Sequence, residues 1–274
     1  MDLEKAAAQL RPRSAYEAVD FGFLFVREHY WRLVGTMMLF VFPVAILLAI
    51  VLPQQIAWLS LFMWWCKPVG ERALLFSLSR AFFGDRLSIR DTIRAFSEYG
   101  RRDWLLALTL RRLSPTRSFD LPVTVLEGSQ GRKRAARLGT LHRGRLPSAA
   151  IMLTFVLAHL EAALAFGIVV LVGMLTPDAL DWSVFSWVFD LEEGASLGGQ
   201  LFLYWQGLLA MCLVAPFYVA GGFSLYLHRR TELEAWDLEL SFRRLAERVA
   251  SRRRGGSSAT AAALVGVTLL CGLS

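Results

Sequence analysis

Apolar residues in this chain come in long blocks, and the blocks set the predicted elements. Residues 33–66 carry no charge at all. About 20 helical residues cross a hydrocarbon core of about 30 Å, so this block is too long for one span. Pro53-Gln54-Gln55 is the natural break. The pattern predicts one transmembrane helix over residues 33–52 and a second from Ile56 through Trp58, Trp64 and Trp65 to about residue 83. Two further apolar runs, 149–175 and 201–227, read as a second transmembrane hairpin. The segment joining them has only acidic charges: Asp178, Asp181, Asp190, Glu192 and Glu193. A last run, 259–273, is short for a span. It follows Arg252-Arg253-Arg254 and a Gly-Gly-Ser-Ser stretch, and is a candidate truncated fifth span of a longer protein.

Mixed segments lie between the blocks. Ser14-Ala15-Tyr16-Glu17 has the form of a capping box and predicts a helix to about residue 33. Tyr16, Val19, Phe23, Val26 and Tyr30 share one face. Such a helix suits either the membrane surface or the protein's own cytoplasmic loops. Ser88-Ile89-Arg90-Asp91 repeats the capping pattern. It opens a second mixed unit that ends in Trp104–Leu110, an apolar run too short to span. Val123-Thr124-Val125-Leu126 followed by Gly128-Ser129-Gln130-Gly131 predicts a small β-hairpin. Leu233, Trp236 and Leu240 recur at helical spacing, predicting an amphipathic helix over 228–254.

Charge gives the arrangement a direction. No Lys or Arg occurs from residue 146 to residue 228, whereas residues 84–148 hold 14 Lys or Arg against six acids. Basic loops remain in the cytoplasm. The amino terminus and the basic insertion are therefore expected on the cytoplasmic side, and the acidic connection outside. The net charge of +7 then reflects topology and attraction to anionic lipid rather than nucleic-acid binding. A mean hydropathy of +0.44 and 55% hydrophobic residues fit a membrane protein. Nine Trp and 19 Phe suit interfacial belts. Cys66, Cys212 and Cys271 lie in apolar runs without metal-ligand spacing and read as small hydrophobes. No cleavable signal peptide opens the chain.

The expected fold class is thus an all-α polytopic membrane protein. Its parts are an amphipathic helix with a transmembrane hairpin (1–83), a basic cytoplasmic insertion (84–148), a second hairpin (149–227), an amphipathic helix (228–254) and the candidate fifth span (255–274).

Ionisable residues at membrane depth are functional candidates. They are Lys67, Glu71 and Arg72 on the second helix, and His159 and Glu161 on the third. At 1.5 Å per residue, Lys67 lies about 20 Å in from the outside, with Glu71 and Arg72 close to the cytoplasmic surface. From the inside, His159 is about 18 Å deep and Glu161 about 21 Å. Three readings fit the last two: a neutral pair bonded to Gln206 or Tyr204, a proton- or ligand-handling site, or contact with a partner helix from another subunit. On these counts Lys67 and Glu161 differ by about 10 Å in depth, a gap that a shift of a few residues in the helix boundaries closes, so a Lys67–Glu161 pair stays open. Arg132, Lys133, Arg134 and Arg137 form a basic cluster that either resists translocation or contacts anionic lipid or an acidic partner. Gly221-Gly222 suits close helix packing. Neither a catalytic motif nor a metal-ligand pattern is found, and no cofactor is implied.

Several stretches carry a resemblance. Tyr16-Glu-Ala-Val-Asp-Phe-Gly22, Trp64-Trp-Cys-Lys-Pro-Val-Gly-Glu-Arg72, Leu78-Ser-Arg-Ala-Phe-Phe-Gly84 and Arg111-Arg-Leu-Ser-Pro-Thr-Arg-Ser-Phe-Asp-Leu-Pro122 resemble a family of uncharacterised bacterial inner-membrane proteins. In that family an N-terminal membrane region precedes an extracytoplasmic domain, and a MoxR-like AAA ATPase is encoded nearby. The resemblance implies the bacterial inner membrane and an ATPase or other envelope protein as partner. It implies no established activity. Tyr226-Leu-His-Arg-Arg230 with Glu234-Ala-Trp-Asp-Leu238 is more loosely similar to the membrane region of glycerophosphodiester phosphodiesterases, whose catalytic domain the chain lacks. The leading expectation is a non-enzymatic module that anchors or assembles an envelope complex. The competing one is a small-ligand transporter or lipid-handling protein using His159 and Glu161.

Overall fold

A computed structural model describes residues 14–84, 89–100, 103–109, 111–144, 146–175 and 197–234. Every regular element among them is helical. The first is α1, Ala15–Val51. A 3₁₀ turn at Pro53–Gln55 leads into α2, Ile56–Phe82. Short helices follow: α3 (Ile89–Arg94), α4 (Phe96–Tyr99), α5 (Trp104–Leu108), α6 (Arg117–Val125) and α7 (Gly131–Leu141). Two long ones complete the set, α8 (Leu146–Leu175) and α9 (Leu197–Glu234). The chain divides into two compact units. The first holds the described residues through Arg229, and the second contributes only the last turn of α9.

The amino-terminal amphipathic helix and the first span are one element. Ser14 caps it reciprocally, its Oγ accepting from Glu17 N–H at 3.2 Å while Glu17 Oε2 accepts from Ser14 N–H at 3.0 Å. Nothing between residues 30 and 40 breaks the helix, because no proline occurs before Pro43. Its aromatic face is spent on the chain's own helices. Phe21 and Phe25 pack against Phe82 of α2, which also meets Phe223 of α9. Phe23 packs on Phe217, and the Tyr30 hydroxyl donates to Leu213 O at 3.2 Å. Of the two placements read for this face, packing on the protein is the one found, on α2 and α9 rather than on loops.

Residues 117–125 and 131–141 are helical, and no strand occurs among the described residues. The expected β-hairpin is thereby corrected. The β-branched run Val123-Thr124-Val125 lies in α6, where every residue from Ser118 to Val125 is buried. Burial on all sides outweighs strand propensity, which measures fit to a half-buried pleated surface.

Among the described residues, three helices are long and apolar enough to cross a membrane: Ala15–Val51, Leu146–Leu175 and Leu197–Leu233. α2 has the length, 27 residues, but carries Lys67, Glu71, Arg72 and Arg80. Burial ranks the three. The most apolar stretch of α9 is 83% buried and that of α8 only 11%. α9 is therefore central, and α8 flanks it with Met152, Phe155, Val156, Leu160 and Phe166 exposed. α1 likewise exposes Leu47, Ile50 and Val51. An apolar patch of this extent fits a lipid environment, not water.

The outer connection, the helix expected to 254 beyond Glu234, and the candidate fifth span lie outside the described residues.

Candidate functional site

Polar chemistry converges where α2 faces α6, α8 and α9. Two prolines and two arginines explain how it is assembled. Pro68 has no N–H, so the carbonyl four residues earlier, Trp64 O, has no helical donor. The Arg112 guanidinium takes that role, donating Nη2 to Trp64 O at 2.9 Å and Nε to Trp65 O at 3.2 Å. It also stacks over the Trp64 ring, 4.0 Å from its centroid. The Trp65 indole N–H returns a bond to Leu108 O at 2.6 Å, tying α5 to α2. Pro115 then redirects the chain, and its carbonyl accepts from the Thr154 hydroxyl of α8 at 2.6 Å. Arg117, at the start of α6, donates Nη2 to Glu71 Oε1 at 2.8 Å. The pair is deeply placed, with side-chain exposures of 10% for Arg117 and 1% for Glu71.

A second ion pair lies across the same region. Lys67 of α2 bonds to Glu161 of α8, and both are mostly buried. Tyr218 of α9 sits between the two pairs. Lys67 Nζ is 5.9 Å from its ring centroid and Arg117 Cζ 5.4 Å. A cavity of about 380 Å³ opens beside them. Lys67, Arg112, Arg117, Glu161, Thr154 and Tyr218 form its polar end. Ala162, Ala165, Leu203, Gly207, Leu208 and Met211 line the rest.

Electrostatics separates the two arginines. Burial, and then the Arg117 charge, lower the Arg112 pKa, with Glu71, Tyr218 and Glu161 opposing. Burial acts on Arg117 in the same sense. There Glu71, Tyr218 and Glu161 prevail and hold the guanidinium above its ordinary value. One polar atom of Arg117 is left over: its Nε is buried without a hydrogen-bond partner.

The sequence-predicted residues divide sharply. Lys67, Glu71 and Glu161 come together in one polar tract. The depth counts differ by about 10 Å, a gap that a few residues' shift in the helix boundaries closes, and the Lys67–Glu161 pair left open on that ground is present. His159 is not part of the tract. Two residues before Glu161, it lies about 200° around the helix. It is exposed, stacked on Phe155, with Nδ1 2.8 Å from Phe155 O. The His159–Glu161 pairing is therefore corrected. Gln206 does not line the cavity, and its Oε1 is buried without a partner. Nor does the Tyr204 hydroxyl reach Glu161; it donates to Ala45 O at 3.1 Å. Arg72 is turned away, donating to Gly100 O at 2.8 Å.

The basic cluster on α7 also splits. Arg132 and Lys133 are exposed. Arg134 donates to Thr124 Oγ1 at 2.8 Å, and Arg137 Nε and Nη2 reach Glu127 at 3.0–3.1 Å. Glu127 also accepts from Tyr226 of α9 at 2.7 Å. Half the cluster therefore fastens α7 to the helical unit. Among the described residues no group of His, Cys, Asp and Glu could hold a metal ion.

Sequence reasoning missed Arg112, Arg117 and Tyr218. The arginines had been read with the basic insertion. The one available signal was Pro68, which leaves Trp64 O in need of a donor. That signal does not say which of many arginines supplies it.

Compared with known protein families, with curated proteins and with solved structures, the chain matches none.

Proposed function

We propose that this chain is an integral membrane protein that binds a small polar or amphiphilic ligand in the cavity between α2, α6, α8 and α9. In this reading α2 is a fourth crossing; Lys67, Glu71 and Arg72 are tolerated because they are buried against protein, and the exposed Arg80 lies in its last turn. The positive-inside rule puts the amino terminus and residues 84–148 in the cytoplasm. The observation that carries the reading is the Lys67–Glu161 ion pair on the wall of a cavity of about 380 Å³. Charges among spanning helices are costly and mark ligand or ion pathways, and the volume is in the range of small-ligand pockets. This favours the ligand-handling class over a purely anchoring module.

Filling the cavity is the test. Gly207 lines the cavity and nothing lies within 4 Å of a Cβ added there, so Gly207→Leu starts its side chain into open space. Wild-type and variant protein are purified from native membranes in mild detergent, and bound small molecules and proteins are identified by mass spectrometry. A compound held by the wild type and lost from the variant supports the reading. A wild type that carries no compound, but brings down an AAA ATPase or another envelope protein, refutes it in favour of the assembly module.

A further inference from the structure

The cavity wall includes residues that are exposed on the outside of the helices. Among its lining residues, Trp64 of α2 is 42% exposed, and Ala158 and Ala162 of α8 are exposed as well. The exposed residues around them include Leu61 and Phe62 on α2 and Phe155 and Leu160 on α8, together with the His159 ring stacked on Phe155. These lining residues thus border faces of α2 and α8 that are suited to acyl chains. Inside, the cations outnumber the carboxylates. Lys67, Arg112 and Arg117 stand against Glu71 and Glu161, leaving one positive charge for an anion to neutralise. Arg117 Nε is an unused donor on a side chain that is nine-tenths buried and lines the cavity.

Resting on the ligand-binding reading above, we propose that the cavity takes the phosphate-bearing headgroup of an anionic phospholipid, which reaches it sideways from the bilayer between α2 and α8. Guanidinium groups match phosphate oxygens in geometry and charge. The Trp64 ring and the small side chains of Ala158 and Ala162 form the passage. The wall of Leu203, Leu208 and Met211 receives the first methylenes of the lipid, and the remainder of the acyl chains stays in the bilayer. A volume of about 380 Å³ is near the lower end for ligand pockets and suits a headgroup, not a whole lipid.

The test uses the full chain in nanodiscs of phosphatidylglycerol or of phosphatidylcholine, and in detergent with glycerol 3-phosphate, read by native mass spectrometry. The expected result is phosphatidylglycerol retained at least tenfold over phosphatidylcholine. Ala162→Phe, which blocks the passage, lowers that retention at least tenfold, while Ala163→Phe, exposed beside it and outside the lining, leaves it unchanged. Should Ala162→Phe not yield folded protein by size exclusion, Gly207→Leu fills the cavity from the opposite wall and decides the point. Equal retention of the two lipids, or retention indifferent to blocking, overturns the proposal. Binding of glycerol 3-phosphate without phosphatidylglycerol overturns lateral access and leaves the cavity reading standing. Binding of none of the three overturns both.

Discussion

Replacing Glu71 by Gln removes the negative half of the Arg117 pair and retains the shape. In the folded protein the two groups meet at 2.8 Å, with Glu71 only 1% exposed. Coulomb attraction at that distance is large, but so is the cost of taking both ions from water. The measurable quantity is what happens when one partner is left alone. Breaking a buried pair from one side costs about 3–5 kcal/mol, because an uncompensated charge remains in a poorly hydrated place. For a chain of this size each kcal/mol moves the melting temperature by about 2–4 °C. Glu71→Gln should therefore lower it by roughly 6–20 °C, nearer the lower bound because the amide oxygen still accepts a bond. The assay is thermal unfolding in detergent followed by tryptophan fluorescence, with size exclusion after heating. The double variant Glu71→Leu/Arg117→Met, which leaves no unpaired charge, should recover most of the loss. A single-variant cost below about 1 kcal/mol, the range of exposed ion pairs, would refute the buried-pair account. So would a double variant as unstable as the sum of the singles.

Three further outcomes follow from the same geometry. His159→Leu should change stability by no more than about 0.5 kcal/mol and leave ligand retention intact, since the ring lies outside the tract; a loss of retention in the nanodisc assay would place it back in the site. Gly222→Ala should destabilise by about 1–3 kcal/mol, because its Cβ would come within 2.4 Å of Ser118 on α6, whereas Gly207→Ala should be neutral or stabilising; equal melting temperatures for the two variants would deny the close approach of α6 to α9. Tyr99 is buried, donates to Thr92 O at 2.8 Å, and its phenol is raised above the ordinary value of 10 by that burial. Its contribution is complete below pH 10. Above pH 10 the unfolded phenol ionises first, so stability falls as pH rises toward the folded-state value. Melting temperatures between pH 9 and 11 should decline less steeply in Tyr99→Phe, and an unchanged slope would contradict this.

The exposed half of the α7 cluster, Arg132 and Lys133, and the half that is tied down, Arg134 and Arg137, show where a one-dimensional reading stops. All four have the same charge in a run of six residues. Helical geometry turns two of them toward Thr124 and Glu127. Desolvation and then the Arg111 charge, opposed by Asp120 and Asp103, leave Arg134 below the usual arginine range. Nothing in the run itself separates the two halves, because Thr124 and Glu127 become their neighbours only once α6 turns back on α7.

The sequence by itself determined the helices that recur over tens of residues. Apolar blocks of span length, a capping box at Ser14, and the breaks at Pro53 and after residue 175 are local or periodic signals; they place α2 and α8 to within a few residues and anticipate α1 as two consecutive segments of what is one helix. Membrane character follows from the same blocks, since a run that is apolar all round has no soluble way to hide. Tertiary structure alone decided the rest. It turned a β-branched run into the buried helix α6, because contact with Gly222 and its neighbours outweighs strand propensity. It joined Lys67 to Glu161 across 94 positions of chain and excluded His159, two residues away, because side-chain direction depends on rotation about a helix whose neighbours are unknown until it packs. It brought Arg112 to the carbonyl that Pro68 leaves bare. Local signals reach about one turn along the chain, whereas a charged cavity among helices is made by residues that share only space.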